Sequence, residues 1–125
     1  MSVEACPFCQ PDERRVFFRS DLVLGLWDGF PVSRGHALLV TRRHVANWFE
    51  ATTDEQQALT SAIAEVKREI EKTHRPDGYN VGFNAGEAAG QTVFHLHVHV
   101  IPRYAGDTPE PRGGVRGVIP GKGAY

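Results

Sequence analysis

His95-Leu96-His97-Val98-His99-Val100-Ile101 is the stretch on which the reading of this chain turns. It alternates with a period of two, the repeat of a β-strand, in which successive side chains point to opposite faces. Read as a strand from Phe94 to Ile101, it sets His95, His97 and His99 on one face and Phe94, Leu96, Val98 and Val100 on the other. The apolar side belongs against a core. The histidine side must be solvated, bound to something or chemically active, and solvated faces ordinarily use Lys, Glu and Thr. Two chemistries fit this spacing. Three neutral imidazoles can bind zinc, or one imidazole can act as a nucleophile between two others and form a covalent intermediate. Spacing alone leaves both open.

Working outward, four more strands are expected. Arg15–Arg19 and Asp21–Trp27 are short, rich in β-formers and separated by a turn at Ser20-Asp21. A polar loop with Gly and Pro (28–35) leads into a more buried strand, His36–Thr41, and Tyr79–Asn84 gives another. A helix is expected over Asp54–His74. Thr53-Asp54-Glu55-Gln56 has capping-box spacing, and Leu59, Ile63, Val66 and Ile70 form one apolar stripe. Pro76 ends it, because proline disfavours helical geometry in the residue before it, and a short helical turn is expected at 47–50. Five strands and one long helix without strict alternation indicate an α+β domain, an antiparallel sheet carrying one long and one short helix.

The chain has 125 residues, 41% of them hydrophobic, with 14 Lys+Arg against 15 Asp+Glu for a net charge of −1. That fits one domain with a real core, and it argues against a protein whose affinity comes from neutralising a nucleic-acid backbone. No apolar run approaches the roughly 20 residues that span a bilayer. Met1 to Pro7 lacks the basic-then-apolar pattern of a signal peptide, so a cytoplasmic setting is expected. From Arg103 to Tyr125 there are six Gly and three Pro, with Val115, Val118, Ile119 and Tyr125 as apolar anchors. Residues 1–107 therefore read as the domain proper, and 108–125 as a Gly/Pro-rich arm of the same domain, lying on something.

The triad stretch closely resembles the signature of the histidine triad (HIT) family of nucleotide hydrolases and transferases, His-φ-His-φ-His-φ-φ with φ apolar, at every position from 95 to 101. Gly90-Gln91-Thr92 before it, Pro102-Arg103 after it, Asp28 before the loop and Gly35-His36 before an apolar strand extend the likeness over roughly residues 6 to 107, toward the dinucleoside polyphosphate hydrolase branch. The resemblance implies the HIT fold and makes His97 the nucleophile at the α-phosphorus of a nucleotide. His99 and His36 would then line the phosphate site, and His95 would orient the others. It further implies that Asp28 accepts from the ribose hydroxyls, that Asn84 and Gln91 approach the phosphates or leaving group, and that Gly90 and Thr92 supply close backbone approach and a hydroxyl. Read singly, Asp28 is an ordinary turn aspartate, and Leu26, Phe30 and Leu38 are as readily core as base pocket. His74, at the helix end, suits the negative helix terminus.

Cys6-Pro7-Phe8-Cys9 holds the only two cysteines. A cytoplasmic disulfide is disfavoured, and no strand-then-helix context supports a redox dithiol. A zinc site needs two more ligands, which histidine can supply; otherwise these are two reduced surface thiols. The resemblance to bacterial HIT proteins and hexose-phosphate uridylyltransferases supplies a set, Cys6, Cys9, His44 and His95. Four such ligands make a closed, structural zinc site, and no organic cofactor is expected.

The function expected is hydrolysis of a phosphoanhydride of dinucleoside polyphosphates, such as diadenosine tri- or tetraphosphate, through a nucleotidyl-histidine. A nucleoside phosphoramidase and a nucleotidyl transferase or phosphorylase would use the same residues. A three-histidine metal-dependent hydrolase and a non-catalytic nucleotide sensor are alternatives of different class. The resemblance also implies a homodimer whose Arg103–Tyr125 arm nears the other subunit's active site, with no membrane and no nucleic-acid polymer as partner.

Overall fold

Five strands, β1 (Val16–Arg19), β2 (Val23–Trp27), β3 (Ala37–Thr41), β4 (Gly78–Gly82) and β5 (His97–Arg103), and one helix, α1 (Thr53–Ile70), make up the computed structural model, which describes residues 3–125. The strands form one antiparallel sheet in the order β1-β2-β3-β5-β4, the α+β architecture expected. Short 3-10 turns occupy Glu13–Arg15, Trp48–Glu50, Glu87–Ala89 and Gly114–Val118.

Period-two alternation sorts the sheet into two faces. One carries Val23, Ala37, Leu39, Val98 and Val100 against Leu59, Ala62, Val66 and Ile70 of α1, with Val45 and Leu96 closing the core. Burial of these aliphatic side chains, worth about 1.5–3 kcal/mol each, holds the helix on the sheet. The other face carries Leu24, Leu26, Leu38 and Val40, covered by Cys6 and Phe8 of the N-terminal segment. β2 and β3 are therefore buried on both sides.

The helix starts one residue earlier than the sequence indicates. Thr52 is the N-cap, its hydroxyl accepting from the Glu55 amide at 3.1 Å while Glu55 accepts from the Thr52 amide at 2.9 Å. Glu55 also pairs with Arg43 at 2.9 Å, which holds its carboxyl below the usual range and ties the helix start to the end of β3. The regular helix ends at Ile70, short of His74, and Ala62 takes the fully buried place in the stripe while Ile63 is half-buried.

The triad strand is shorter at its start and longer at its end than the alternation suggests. Its pairing begins at His97, opposite Val40, and runs to Arg103, opposite Gly78. Leu96 donates its amide to the Val45 carbonyl at 2.8 Å, outside the sheet ladder, so Phe94, His95 and Leu96 form a bent approach. His95 is fully buried beside Cys6 and Phe8, and Phe94 is 37% exposed.

Candidate active site

His97 and His99 face the same side of β5, with Leu38 of β3 beside His99 and Gly82 of β4 on the other flank. His97 Nδ1 lies 2.8 Å from the backbone carbonyl of His95. A carbonyl only accepts, so the neutral ring carries its proton on Nδ1 and keeps its lone pair on Nε2. Phe8 packs on the same ring at a centroid distance of 4.9 Å. An unprotonated nitrogen on an apolar-backed ring of fixed tautomer is the geometry of a nucleophile.

His36 and His99 have a defined proton order. The Val32 amide donates to His36 Nδ1 at 3.1 Å, so neutral His36 carries its proton on Nε2. That nitrogen is 3.0 Å from His99 Nδ1 and 3.3 Å from Asp28 Oδ2. With His36 donating, His99 accepts on Nδ1 and presents its own N–H from Nε2. The same order turns a hydrogen, not a lone pair, of His36 toward Asp28 and His99, so the three form a hydrogen-bonding relay. Burial pushes His36 below its ordinary value against the opposing pull of Asp28. Burial, then His97 and His36, push His99 down to about 4. His99 is thus a neutral donor at physiological pH.

Asp28 follows β2 directly, and its Oδ1 accepts the Phe30 amide at 2.7 Å. Asn84 is exposed and lines, with His36, His99, Asn80 and Val118, a cleft of about 550 Å³. Thr92 is exposed on the loop before the triad. Gln91 is turned inward. It is 3% exposed, its Oε1 accepts the Gly86 amide at 2.9 Å, and its Nε2 donates to the carbonyls of Ala46 at 2.6 Å and Val93 at 3.1 Å. Both amide hydrogens are committed to backbone, so Gln91 braces the loop on which Thr92 sits. Gly90 has φ +93°, with open space where a Cβ would stand. Its requirement is the left-handed backbone that ends the 87–89 turn, not close approach.

Cys6, Cys9, His44 and His95 converge, every ligand atom lying within 4.8 Å of the others. His95 Nε2 donates to the Thr41 carbonyl at 2.6 Å, leaving a lone pair on Nδ1. Around that one nitrogen stand Cys6 Sγ at 3.3 Å, Cys9 Sγ at 3.5 Å and His44 Nδ1 at 3.2 Å, and Cys9 Sγ lies 3.0 Å from His44 Nδ1. Bonds of 2.0–2.3 Å in a tetrahedron put ligand atoms roughly 3.3–3.8 Å apart. The donor set therefore fits a zinc ion with little adjustment. Burial first and the Cys6 hydrogen bond next push the Cys9 thiol up to about 11, so a cation bound there would displace protons. The triad histidines do not converge on one point, since His95 joins the cysteines, His99 joins His36 and Asp28, and His97 joins neither group.

The alternation of the sequence did not reveal Phe8, the Val32 amide or the inward turn of Gln91. Phe8 had an available signal. It lies between the two cysteines, so any fold that brings both to His95 also brings Phe8 to the strand.

A model of the HIT domain matches residues 11–106. An uncharacterized HIT-like protein of Saccharolobus solfataricus is 34% identical over 106 residues, covering 82% of this chain and 76% of that protein. An AP-4-A phosphorylase of Mycobacterium tuberculosis is 36% identical over 102 residues, and an asymmetrical bis(5'-nucleosyl)-tetraphosphatase of Schizosaccharomyces pombe is 35% identical over 100. These alignments cover 81% and 80% of this chain but only 52% and 55% of the two enzymes, so the chain spans about half their length. The crystal structure of a Zn-bound histidine triad family protein from Mycobacterium smegmatis superposes with a TM-score of 0.77 at 28% identity, covering 87% of this chain and 82% of that one.

Proposed function

The chain belongs to the HIT family, and from that premise we propose that it is a nucleotide hydrolase or transferase cleaving a phosphoanhydride of dinucleoside polyphosphates at the α-phosphorus, with His97 as nucleophile. The observation that carries the reading is the 2.8 Å approach of His97 Nδ1 to the His95 carbonyl, which leaves Nε2 as the attacking atom. In the first step Nε2 bonds to phosphorus, the bond to the bridging oxygen breaks, and the electron pair departs with the leaving phosphate. In the second, water attacks phosphorus and gives up a proton to solvent, the P–N bond breaks, and the pair returns to Nε2 of His97. The His99 N–H, ordered by His36, donates to a non-bridging oxygen on which charge grows. Asp28 accepts from a ribose hydroxyl, Asn84 and Thr92 add donors near the phosphates, and Gly90 and Gln91 shape the loop.

Support for the substrate class comes from the named activities of the two relatives. Phosphoramidase or phosphorylase action would use the same nucleophile and differ in the bond broken or the acceptor. Rapid quench into alkaline denaturant during turnover of diadenosine tetraphosphate should trap an acid-labile, alkali-stable nucleotidyl-histidine, with retention at phosphorus in the product. His97→Asn should lose turnover by several orders of magnitude while keeping nucleotide binding. Inversion at phosphorus, or a His97→Asn variant of near-normal turnover, would refute the covalent route.

The Cys6/Cys9/His44/His95 cluster would hold a structural zinc ion, and its fixed His95 ring would pin the approach to the nucleophile. No helix among the described residues is long and apolar enough to cross a membrane, and the two free thiols suit a reducing, cytoplasmic setting. Residues 108–125 would form a Gly/Pro-rich arm of the same domain, a reading supported by Gly114, Val115, Gly117 and Val118 lining the cleft. Phe49, Val118 and Ile119, exposed by 74%, 74% and 59%, suit burial in a homodimer, which light scattering at micromolar concentration would test.

A further inference from the structure

Cys6 and Cys9 are free thiols within reach of one another. The Gln10 amide donates to the Cys6 carbonyl at 3.3 Å, closing a single helical turn over residues 6–10. That geometry sets Cα atoms three residues apart at about 5 Å, inside the window of roughly 4.4–6.8 Å that a disulfide spans. Both Sγ atoms flank His95 Nδ1, at 3.3 and 3.5 Å, and lie within 4.8 Å of each other. Joining them is a matter of rotating two side chains. Access is unequal. Cys6 is 2% exposed, packed with Leu24, Leu26, Leu38 and Val40, whereas Cys9 is half-buried. The turn opens no α-helix, so the pair lacks the helix N-terminus that activates a disulfide-exchange catalyst.

What such a bond would move is tied to the nucleophile. The His95 ring is fully buried, and its Nε2 is committed to the Thr41 carbonyl at 2.6 Å, so its Nδ1 lone pair depends on what the sulfurs present. A thiol can donate to it, whereas a disulfide sulfur carries no hydrogen. Of the three neighbours only His44, 3.2 Å away, would then have a hydrogen to offer. Phe8 sits between the two cysteines in sequence, and its ring touches those of His97 and His95 at 4.9 and 5.9 Å. Drawing Cys6 and Cys9 together reshapes the turn that holds Phe8. The backbone carbonyl that fixes the His97 tautomer, at 2.8 Å, belongs to His95 itself.

We propose that Cys6 and Cys9 are a peroxide-responsive modification site, whose disulfide releases His95 and Phe8 and so disables His97. This rests on the proposed nucleotidyl transfer at His97 and adds to it a means of control. Hydrogen peroxide is the oxidant. The more accessible Cys9 sulfur attacks one peroxide oxygen, the O–O bond breaks, and a sulfenic acid and one water result. The Cys6 sulfur then attacks the Cys9 sulfur, the S–O bond breaks, and the departing hydroxide leaves as a second water with the proton of the Cys6 thiol. Two electrons pass from the sulfurs to the peroxide. A dithiol reductant reverses the bond by exchange, as suits a transient disulfide in a reducing setting. A cation held by the four-residue cluster would lose two ligands at once.

The test treats the wild type with excess hydrogen peroxide and then removes the oxidant with catalase. Peptide mass mapping should find Cys6 joined to Cys9, and kcat for diadenosine tetraphosphate should be at least about tenfold lower, both restored by dithiothreitol. Ring-nitrogen NMR should show the Nδ1–H form of His97 before oxidation and its loss afterwards. The double variant Cys6→Ser with Cys9→Ser should carry whatever turnover it has through the same treatment unchanged. Thiols that stay free, or a disulfide that leaves both kcat and the His97 ring signals as they were, would overturn the site. A loss of turnover that dithiothreitol does not restore, or that the double variant shares, would overturn it as well. Absence of any nucleotidyl-histidine in the reduced protein would remove the reading beneath it, and that failure appears before any oxidant is added.

Discussion

Gln91→Ala separates a brace from a phosphate ligand. The side chain is 3% exposed and makes three hydrogen bonds to backbone, with Gly86, Ala46 and Val93. Each neutral bond contributes about 1 kcal/mol net, so truncation should cost about 3 kcal/mol, and more if the Ala46 carbonyl finds no water. In a chain of this size 1 kcal/mol corresponds to about 3–5 °C, which places the melting point about 10 °C below wild type. The isosteric Gln91→Glu keeps an acceptor for Gly86 but turns acceptors toward two carbonyls, so it should destabilise comparably despite filling the same space. Thermal unfolding by circular dichroism measures both, and kcat taken well below the transition should fall less than about tenfold. A Gln91→Ala protein that melts within about 2 °C of wild type yet has lost its turnover would refute the brace and return this amide to the phosphates.

Protein purified without chelator should carry about one zinc per chain, and Cys6→Ser with Cys9→Ser should remove it and lower the melting point while leaving some activity; metal content well under half an equivalent would contradict the four-ligand set. His99 lies at about 4 in the folded chain against an ordinary value of 6.5, with His36 and His95 shifted the same way. The unfolded chain therefore binds more protons between these values. Stability should be full above pH 6.5 and fall toward pH 4 by up to about 3 kcal/mol for His99, and urea midpoints independent of pH over that window would contradict it. His36→Ala removes the proton that orders His99, so kcat should fall by about a hundredfold with a smaller change in nucleotide affinity; equal losses in both would make His36 a binding group only.

What the sequence disclosed depended on whether a signal repeats. Alternation along 95–101 and short apolar runs along 23–27 and 37–41 mark strands, and i, i+3, i+4 spacing marks the helix, because each pattern reports a regular backbone. The outer limits of these elements are set by single local bonds that no repeat encodes. Leu96 bonds to Val45 rather than to a strand, and Thr52 caps the helix in place of Thr53. Gln91 misleads for a related reason. An amide placed next to a catalytic motif has the composition of a ligand, and only the positions of three backbone groups, one of them 45 residues away, show where its hydrogens go.

His95 explains how one short motif supports two different centres. Its ring bonds to the Thr41 carbonyl through Nε2 and turns Nδ1 toward Cys6, Cys9 and His44. Its backbone carbonyl accepts the proton of His97 Nδ1. One residue therefore faces the metal-ligand cluster with its side chain and orders the nucleophile with its main chain. A rotation at His95 large enough to release one contact would disturb the other. Phe8 adds a second link, since its ring touches both His95 and His97 at 5.9 and 4.9 Å and rides between the two cysteines. The cluster and the nucleophile are thus mechanically one piece, although no ligand is common to the two sites.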